Sequence, residues 1–509
     1  MFQLSPSESL TEREVNKGLR LVIVEGPSAE VMTSFTGGAF LVAMALLLGA
    51  TNTQIGLLAA LPTFTNLFQL VSIFLVRKFN NRRVIAVLCS VFARIPLVIV
   101  GSMALFGRNS ASVEVLLFFL FFYYLFGSIA GPTWNAWMKD LVPEKMLGSY
   151  FAKRSSYTQM LNVVLSLALA LAIDYVRNNR TTLELEAYGV MFIVGGVSGL
   201  TGAFLLANVP EPKSEMKNEN LLSLFKRPVQ DDNFRRLLWF NAAWIFALNL
   251  ATPFFTVFML QSMKLPLSYV IGLGVINQVF SILTVRSWGA FADRYSNKTI
   301  ISISAPLYIL CLIAWCFVGM YTTLLGNLVL LVIIHIVTGI STAGINLSVT
   351  NIGLKLSPAK HAIVYLSTKN IIVSLFATIS PLIGGQLADF FMNRSLDIGA
   401  TWTGLNGEKT IHFITLHDWN FLFIIAAFLA LIALELLVRV TEAGEVNKEH
   451  VVKVMRATIR THARDFFVVD SLMALHNQLW LLLRKLPFIS KHHRDGSGRP
   501  TTYKGDVVE

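Results

Sequence analysis

Charge is scarce in this chain. Only 14% of its 509 residues are Asp, Glu, Lys or Arg, against roughly a quarter in a soluble domain. With 54% of residues apolar and a mean hydropathy of +0.61, this excludes a disordered chain or a pair of ordinary globular domains. Cysteine is scarcer still. Cys89, Cys311 and Cys316 each lie in an apolar run, which argues against a disulfide framework or a zinc site. No G-x-x-x-x-G-K-[ST] loop occurs to cradle ATP phosphates, and Gly272-Leu273-Gly274 stops short of a dinucleotide fingerprint. H-E-x-x-H and a serine nucleophile elbow are missing too. The expectation is a protein that is not an enzyme and uses no cofactor. Met1 to Lys17 are polar, with no short apolar stretch before a small-residue cleavage site, so no removable signal peptide is expected.

What the chain does have is long apolar runs. Lipid offers no partner for backbone polar groups, so a spanning helix takes about 20 mainly apolar residues. Twelve windows qualify: 21–49, 54–76, 84–106, 114–136, 155–176, 188–207, 237–260, 268–291, 299–321, 325–348, 364–390 and 419–440. The expected fold is an all-α membrane protein, its twelve transmembrane helices grouped as two six-helix bundles. A polar break with Pro210, Pro212 and Pro228 separates the groups. This gives an N-terminal segment 1–19, a first bundle 20–207, a linker 208–236 with a short surface helix over 219–225, a second bundle 237–440 and a basic tail 441–509. The stretch 391–419 reads as a long loop serving as a partial lid. The tail reads as amphipathic helices lying on lipid over 451–464 and 471–486, with a thirteenth span over 471–489 as the rival.

An even number of spans puts both termini on one side. That side carries Arg77, Lys78, Arg82 and Arg83 on one loop, and Lys139, Lys145, Lys153 and Arg154 on the next. The opposite face holds Arg108, Arg177, Arg180, Lys264, Arg394 and Lys409. The positive-inside rule then makes both termini cytoplasmic. The net charge of +12 is accordingly a topology signal, and no nucleic-acid partner is expected.

The halves repeat at a nearly fixed interval. Ile55-Gly56 and Ile271-Gly272 stand 216 apart, as do Phe79-Asn80-Asn81-Arg82 and Tyr295-Ser296-Asn297-Lys298. Pro143 and Pro358, Lys145 and Lys360, Tyr150 and Tyr365, and Asp174 and Asp389 stand 215 apart. Six-helix repeats related by an axis along the membrane normal are one of the transporter architectures.

Gly289-Ala290-Phe291-Ala292-Asp293-Arg294-Tyr295-Ser296-Asn297-Lys298 resembles the cytoplasmic loop signature of the major facilitator superfamily. That signature is a Gly, three residues, Asp-Arg, then a small residue and basic ones. The resemblance implies twelve helices in two pseudo-symmetric bundles, alternating access, and a cytoplasmic gate made by Gly289, Asp293, Arg294 and Lys298. Ser296 and Asn297 replace the usual Gly and Arg, and in the first-half copy Arg77 stands where the Asp belongs. The segment from Pro132 to Phe151 resembles a bacterial branch loosely described as sugar-transport-like, which implies a bacterial inner (plasma) membrane.

With no nucleotide site, transport must draw on gradients of solute, H⁺ or Na⁺. Charges inside spans are costly and mark function. Glu30 and Arg94 each lie about ten residues into their spans, hence ~15 Å deep, and Glu25 lies nearer the surface. Two readings stay open: Glu30, with Glu25, as a protonatable coupling group, or a permanent Glu30–Arg94 pair that neutralises two buried charges. Amides donate and accept, which suits hydroxyl-rich solutes. In the family fold, spans 1, 4, 7 and 10 line the cavity and spans 2, 5, 8 and 11 flank it. The candidates on them are Asn66, Gln69, Asn135, Gln159, Asn162, Asn241, Asn249, Asn277, Gln278, His335 and Asn346, with Trp134, Trp137, Trp239 and Trp244 as stacking surfaces. The bland alternative is interhelical hydrogen bonding and interfacial belts.

The function expected is a monomeric, proton-coupled secondary transporter of a small organic solute such as a sugar or glycoside, in contact with membrane lipids. Efflux of amphipathic or lipid-like compounds, or a non-transporting sensor or scaffold, are the alternatives.

Overall fold

A computed structural model describes residues 6–442 other than 9, 108–110, 214–225, 320–322, 359–360 and 405–406. These fall in one compact unit, Met1–Val446. The expected linker helix over 219–225 and the tail helices lie outside the described residues. Among the described residues, twelve helices are long and apolar enough to cross a membrane. In chain order, spans 1 to 6 are Glu12–Leu47, Asn52–Phe79, Arg82–Phe106, Val113–Leu141, Leu147–Asn179 and Thr181–Ala207. Spans 7 to 12 are Asp232–Ser262, Leu267–Tyr295, Asn297–Trp315, Leu324–Leu356, Val364–Phe391 and Trp419–Val438.

The span ends follow from local chemistry. Thr11 with Glu14 and Thr51 with Gln54 form reciprocal capping boxes at the starts of spans 1 and 2, satisfying amides that a helix start leaves free. Spans 2 and 8 stop at matching positions, Asn80 at φ 47° and Ser296 at φ 100°. The repeat is therefore visible in the backbone. Three spans are irregular inside. Span 1 breaks at Gly37–Gly38, with Gly38 at φ 58°. Span 2 tightens to a 3₁₀ turn at Asn66–Phe68 after Pro62, and span 7 ends in a π turn, Phe258–Ser262.

Within the first half, span 6 packs on spans 1 and 3, and span 4 on spans 2 and 3. The second half repeats the arrangement, with span 12 on spans 7 and 9 and span 10 on spans 8 and 9. Small residues permit the close approach that lipid does not otherwise drive. A Cβ on Gly101 of span 3 would lie 2.7 Å from the Gly189 carbonyl of span 6.

Each half is also tied at the end that carries the chain termini. Glu211, buried just after span 6, accepts from the backbone N–H groups of Arg82 (2.8 Å) and Arg83 (3.0 Å) at the start of span 3. It also pairs with the Arg82 guanidinium at 3.2 Å. Glu442, just after span 12, accepts from Lys298 N (2.8 Å), Asn297 Nδ2 (2.9 Å) and Lys355 Nζ (2.9 Å) at the starts and ends of spans 9 and 10. These bonds hold the Glu442 carboxyl below its ordinary range even though burial, the largest single influence, acts to raise it.

The loop expected over 391–419 is instead a β-hairpin. Strand β1, Ser395–Gly404, pairs antiparallel with β2, Gly407–His417, in register from Ser395↔His417 to Gly404↔Gly407 with an irregularity at Ile398/Gly399. Gly404 and Gly407 are the last paired residues before the reversal.

Candidate functional site

Spans 2 and 11 and spans 5 and 8 bring the two halves together. They meet at the end of the bundle away from the chain termini. There Asp389 of span 11 accepts from the start of span 2, and Asp174 of span 5 accepts from the start of span 8. Gly56 and Gly385 let spans 2 and 11 touch backbone to backbone. Thr378 Oγ1 donates to Thr63 Oγ1 at 3.2 Å farther in. These cross-half bonds all lie between Thr63 and the end away from the termini. Span 2 stays against span 11 through its turn at Asn66–Phe68 and then turns away, Gln69–Phe79 packing on spans 3 and 4 instead. The halves are closed at one end and splayed at the other.

Just inside the closed end, a cavity of about 400 Å³ lies between the halves. Span 1 contributes Thr33, Ser34 and its break at Gly37–Gly38, and span 5 contributes Asn162 and Ser166. Across from them stand Thr252, Phe255, Thr256 and Met259 of span 7, Gln278 of span 8 and His335 of span 10. A broken helix gives up intrahelical bonds, and irregular backbone at membrane depth is tolerated where it lines a cavity. The break in span 1 is therefore part of the cavity wall. Among the described residues, no Asp, Glu, Lys or Arg lines it.

The lining has defined polarity. Asn162 Nδ2 donates to Glu30 Oε1 at 2.8 Å and to Ser34 Oγ at 3.0 Å. Both amide hydrogens are thus committed, leaving Oδ1 to accept. His335 Nδ1 lies 2.8 Å from the Leu331 carbonyl, with the Trp315 ring edge-on at 5.8 Å. A carbonyl can only accept, so Nδ1 carries the proton and a neutral His335 keeps Nε2 as an acceptor.

Of the residues singled out in the sequence, Gln278, His335 and Asn162 border this cavity, and Glu30 stands one hydrogen bond behind it. Gln69 bonds Asn66, and Gln159 bonds Ser155; these three amide side chains are exposed and outside the lining. Asn135 and Asn346 are exposed and Asn249 is half-buried, also outside it. Asn241 is buried, and neither of its amide atoms has a partner among the described residues. Trp137 and Trp244 are core side chains, Trp137 donating to the Pro210 carbonyl, while Trp239 is exposed.

The Glu30–Arg94 pair is not formed. Glu30 is taken by Asn162, whereas Arg94 Nη1 donates to its own helix at Ser90 O (2.9 Å), and Arg94 Nε is buried without a partner among the described residues. Glu25 pairs instead with Arg154 of span 5 at 2.7 Å, and that guanidinium also lies 5.1 Å from the centre of the Trp134 ring. In the loop signature, Asp293 and Arg294 are exposed, Gly289 is half-buried against Leu347, and Lys298 is buried on Glu442 and the Val438 carbonyl. The hydroxyl residues Thr33, Ser34, Ser166, Thr252 and Thr256 were not singled out in the sequence.

A family model described as the Major Facilitator Superfamily matches residues 28–353. The chain belongs to this superfamily. It is thus a multi-pass membrane transporter by family and not an enzyme. No curated protein matches it in sequence. Among solved structures, the nucleoside transporter NupG, crystallised as a point mutant, is similar with TM-score 0.63 at 13% identity, covering 84% of this chain and 100% of that one. The xylose transporter XylE from E. coli, in an inward open conformation, gives 0.54 at 14% identity, with 86% and 98% covered. A bacterial homologue of the iron transporter ferroportin, in an inward-facing state, gives 0.55 at 14%, with 85% and 99% covered. At these identities the likeness concerns the fold.

Proposed function

We infer that this major facilitator protein is a secondary transporter that moves a small, uncharged, hydroxyl-bearing organic solute, of the sugar or nucleoside kind, by alternating access. The observation that carries the reading is the cavity between the halves, whose polar lining among the described residues is hydroxyls, two amides and one histidine, with no Asp, Glu, Lys or Arg. Asn162 Oδ1 and His335 Nε2 are acceptors suited to solute hydroxyls, and Phe255 offers an apolar face. Lys and Arg placement supports cytoplasmic termini, which makes the splayed end the cytoplasmic one. Asp293 and Arg294, exposed at that end, are then gate residues waiting for the halves to close.

The Glu30–Asn162 contact supports proton coupling as part of this reading. An ionised Glu30 only accepts, so Asn162 points its amide nitrogen at it. A protonated Glu30 carries an O–H that donates. Where that O–H faces Asn162, the amide turns over to offer Oδ1, and the cavity receives an N–H donor in place of an acceptor. Solute affinity and the protonation of Glu30 are thereby linked through one amide.

The test is uptake of radiolabelled hexoses, glycosides and nucleosides into proteoliposomes under an imposed pH gradient. Glu30→Gln is expected to abolish gradient-driven accumulation while sparing exchange of solute across the membrane. Unchanged accumulation in that variant refutes the coupling role. The apolar wall of Phe40, Phe255, Met259, Val270 and Ile271 favours an amphipathic solute as the second reading, and outward movement of apolar compounds in the same vesicles would select it.

A further inference from the structure

We propose that Asp174 and Asp389 are a matched pair of latches that hold the two halves shut at the end away from the chain termini, each by capping a helix of the other half. The Asp174 carboxylate accepts from Leu267 N and Ser268 N, both at 2.8 Å. The Asp389 carboxylate accepts from Asn52 N at 3.1 Å, Thr53 N at 2.9 Å and Thr53 Oγ1 at 2.6 Å. Leu267 and Ser268 follow Asn52 and Thr53 by 215 positions, the same interval that separates Asp389 from Asp174. The two contacts are thus copies of one device, related by the internal repeat.

A helix start leaves its first N–H groups without intrahelical partners and carries the positive end of the macrodipole. The residue before a helix usually satisfies them. At span 8 that residue is Pro266, whose side chain makes no capping bond, so the carboxylate that caps span 8 comes from the other half. Span 2 has its own Thr51 cap for Gln54 N, and Asp389 takes the two amides that Thr51 does not reach. Asp174 is buried, so closure removes its charge from water and leaves the helix start as its partner. When the halves part, water can take over both carboxylates and all four amides. The latch thus favours the closed form without making opening prohibitive. Asp418 makes a similar bond, accepting from Asn393 N at 2.7 Å, but both groups belong to the same half. It caps the hairpin base and holds nothing across the interface.

The test measures distance and needs no substrate. Its failure is therefore distinguishable from failure of the transport reading, on which it depends only in requiring the halves to separate. Spin labels go on Leu183→Cys and Leu325→Cys, exposed at the starts of spans 6 and 10, with Cys89, Cys311 and Cys316 replaced by Ser. Double electron–electron resonance on the labelled protein in nanodiscs gives the distance distribution. Asp174→Asn with Asp389→Asn puts an N–H₂ against backbone N–H groups. It is expected to raise the longer-distance population by on the order of a hundredfold, about tenfold for the charge-assisted bond lost at each site. Each single variant gives a smaller rise, and Asp418→Asn gives none. If the double variant does not fold, the single variants and Thr53→Ala, which removes one bond, carry the comparison. A folded double variant with the parental distribution, or an equal rise from Asp418→Asn, overturns the proposal.

Discussion

Replacing Gly56 with alanine adds one methyl group where the backbones of the two halves touch. An ideal Cβ there lies 2.2 Å from the Pro381 carbonyl oxygen, 3.1 Å from its carbon and 3.4 Å from Gly385 Cα. Carbon and oxygen that are not bonded approach to about 3.3–3.6 Å, so spans 2 and 11 must separate by roughly 1 Å. Every atom in the way is backbone, so no rotamer change relieves the contact. Overpacking of this kind costs about 1–3 kcal/mol. The cost falls only on the conformation in which the spans touch, so the equilibrium should move toward opening at that end by about 5–150-fold. The assay is labelling of Thr63→Cys in sealed vesicles by a membrane-impermeant maleimide added on the face away from the termini. Gly127→Ala is the control, because a Cβ there has no heavy atom within 4 Å. Labelling in Gly56→Ala no faster than in Gly127→Ala would refute the reasoning.

Glu211→Gln removes one of the two carboxylates on the buried Arg82 guanidinium, which stays paired with Asp140, and weakens the caps on Arg82 N and Arg83 N; the expected cost is about 1–3 kcal/mol. The readout is a lower Tm in detergent, which Glu8→Gln at an exposed pair should not reproduce. The cap made by Glu442 is pH-dependent in a defined direction. Its carboxyl is held below the ordinary range, so its stabilising contribution is full above the unfolded carboxylate pKa and declines as pH falls through the folded value. Tm should therefore fall below about pH 4.3 more steeply in the parent than in Glu442→Gln; equal slopes would show that the cap contributes nothing.

The twelve spans were legible because a helix in lipid must satisfy its own backbone polar groups, which makes spanning a local property of the chain. The repeat was legible for the same reason: Asn80 and Ser296, or Asp174 and Asp389, keep their place in each half. The hairpin over Ser395–His417 was missed even though Gly404 and Gly407 flank its turn, because a search for apolar runs passes over alternating ones. The cavity was legible only in part. Gln278, His335 and Asn162 stood out as amides or imidazole within apolar runs. Thr33 and Thr252 did not, since each hydroxyl can bond to its own helix, to Glu30 O at 3.0 Å and Leu248 O at 2.8 Å, and is inexpensive anywhere along a span.

Sequence by itself determined the order of the long apolar helices and that the halves are copies, but not where each helix ends: span 1 starts at Glu12 and not at 21, and span 10 runs to Leu356 and not to 348. Tertiary structure decided what each polar group faces, because rotating a helix about its axis changes every neighbour without altering its hydropathy. Arg94 reaches its own backbone instead of Glu30, Arg154 takes Glu25, and Asn66 and Asn135 turn away from the cavity for that reason.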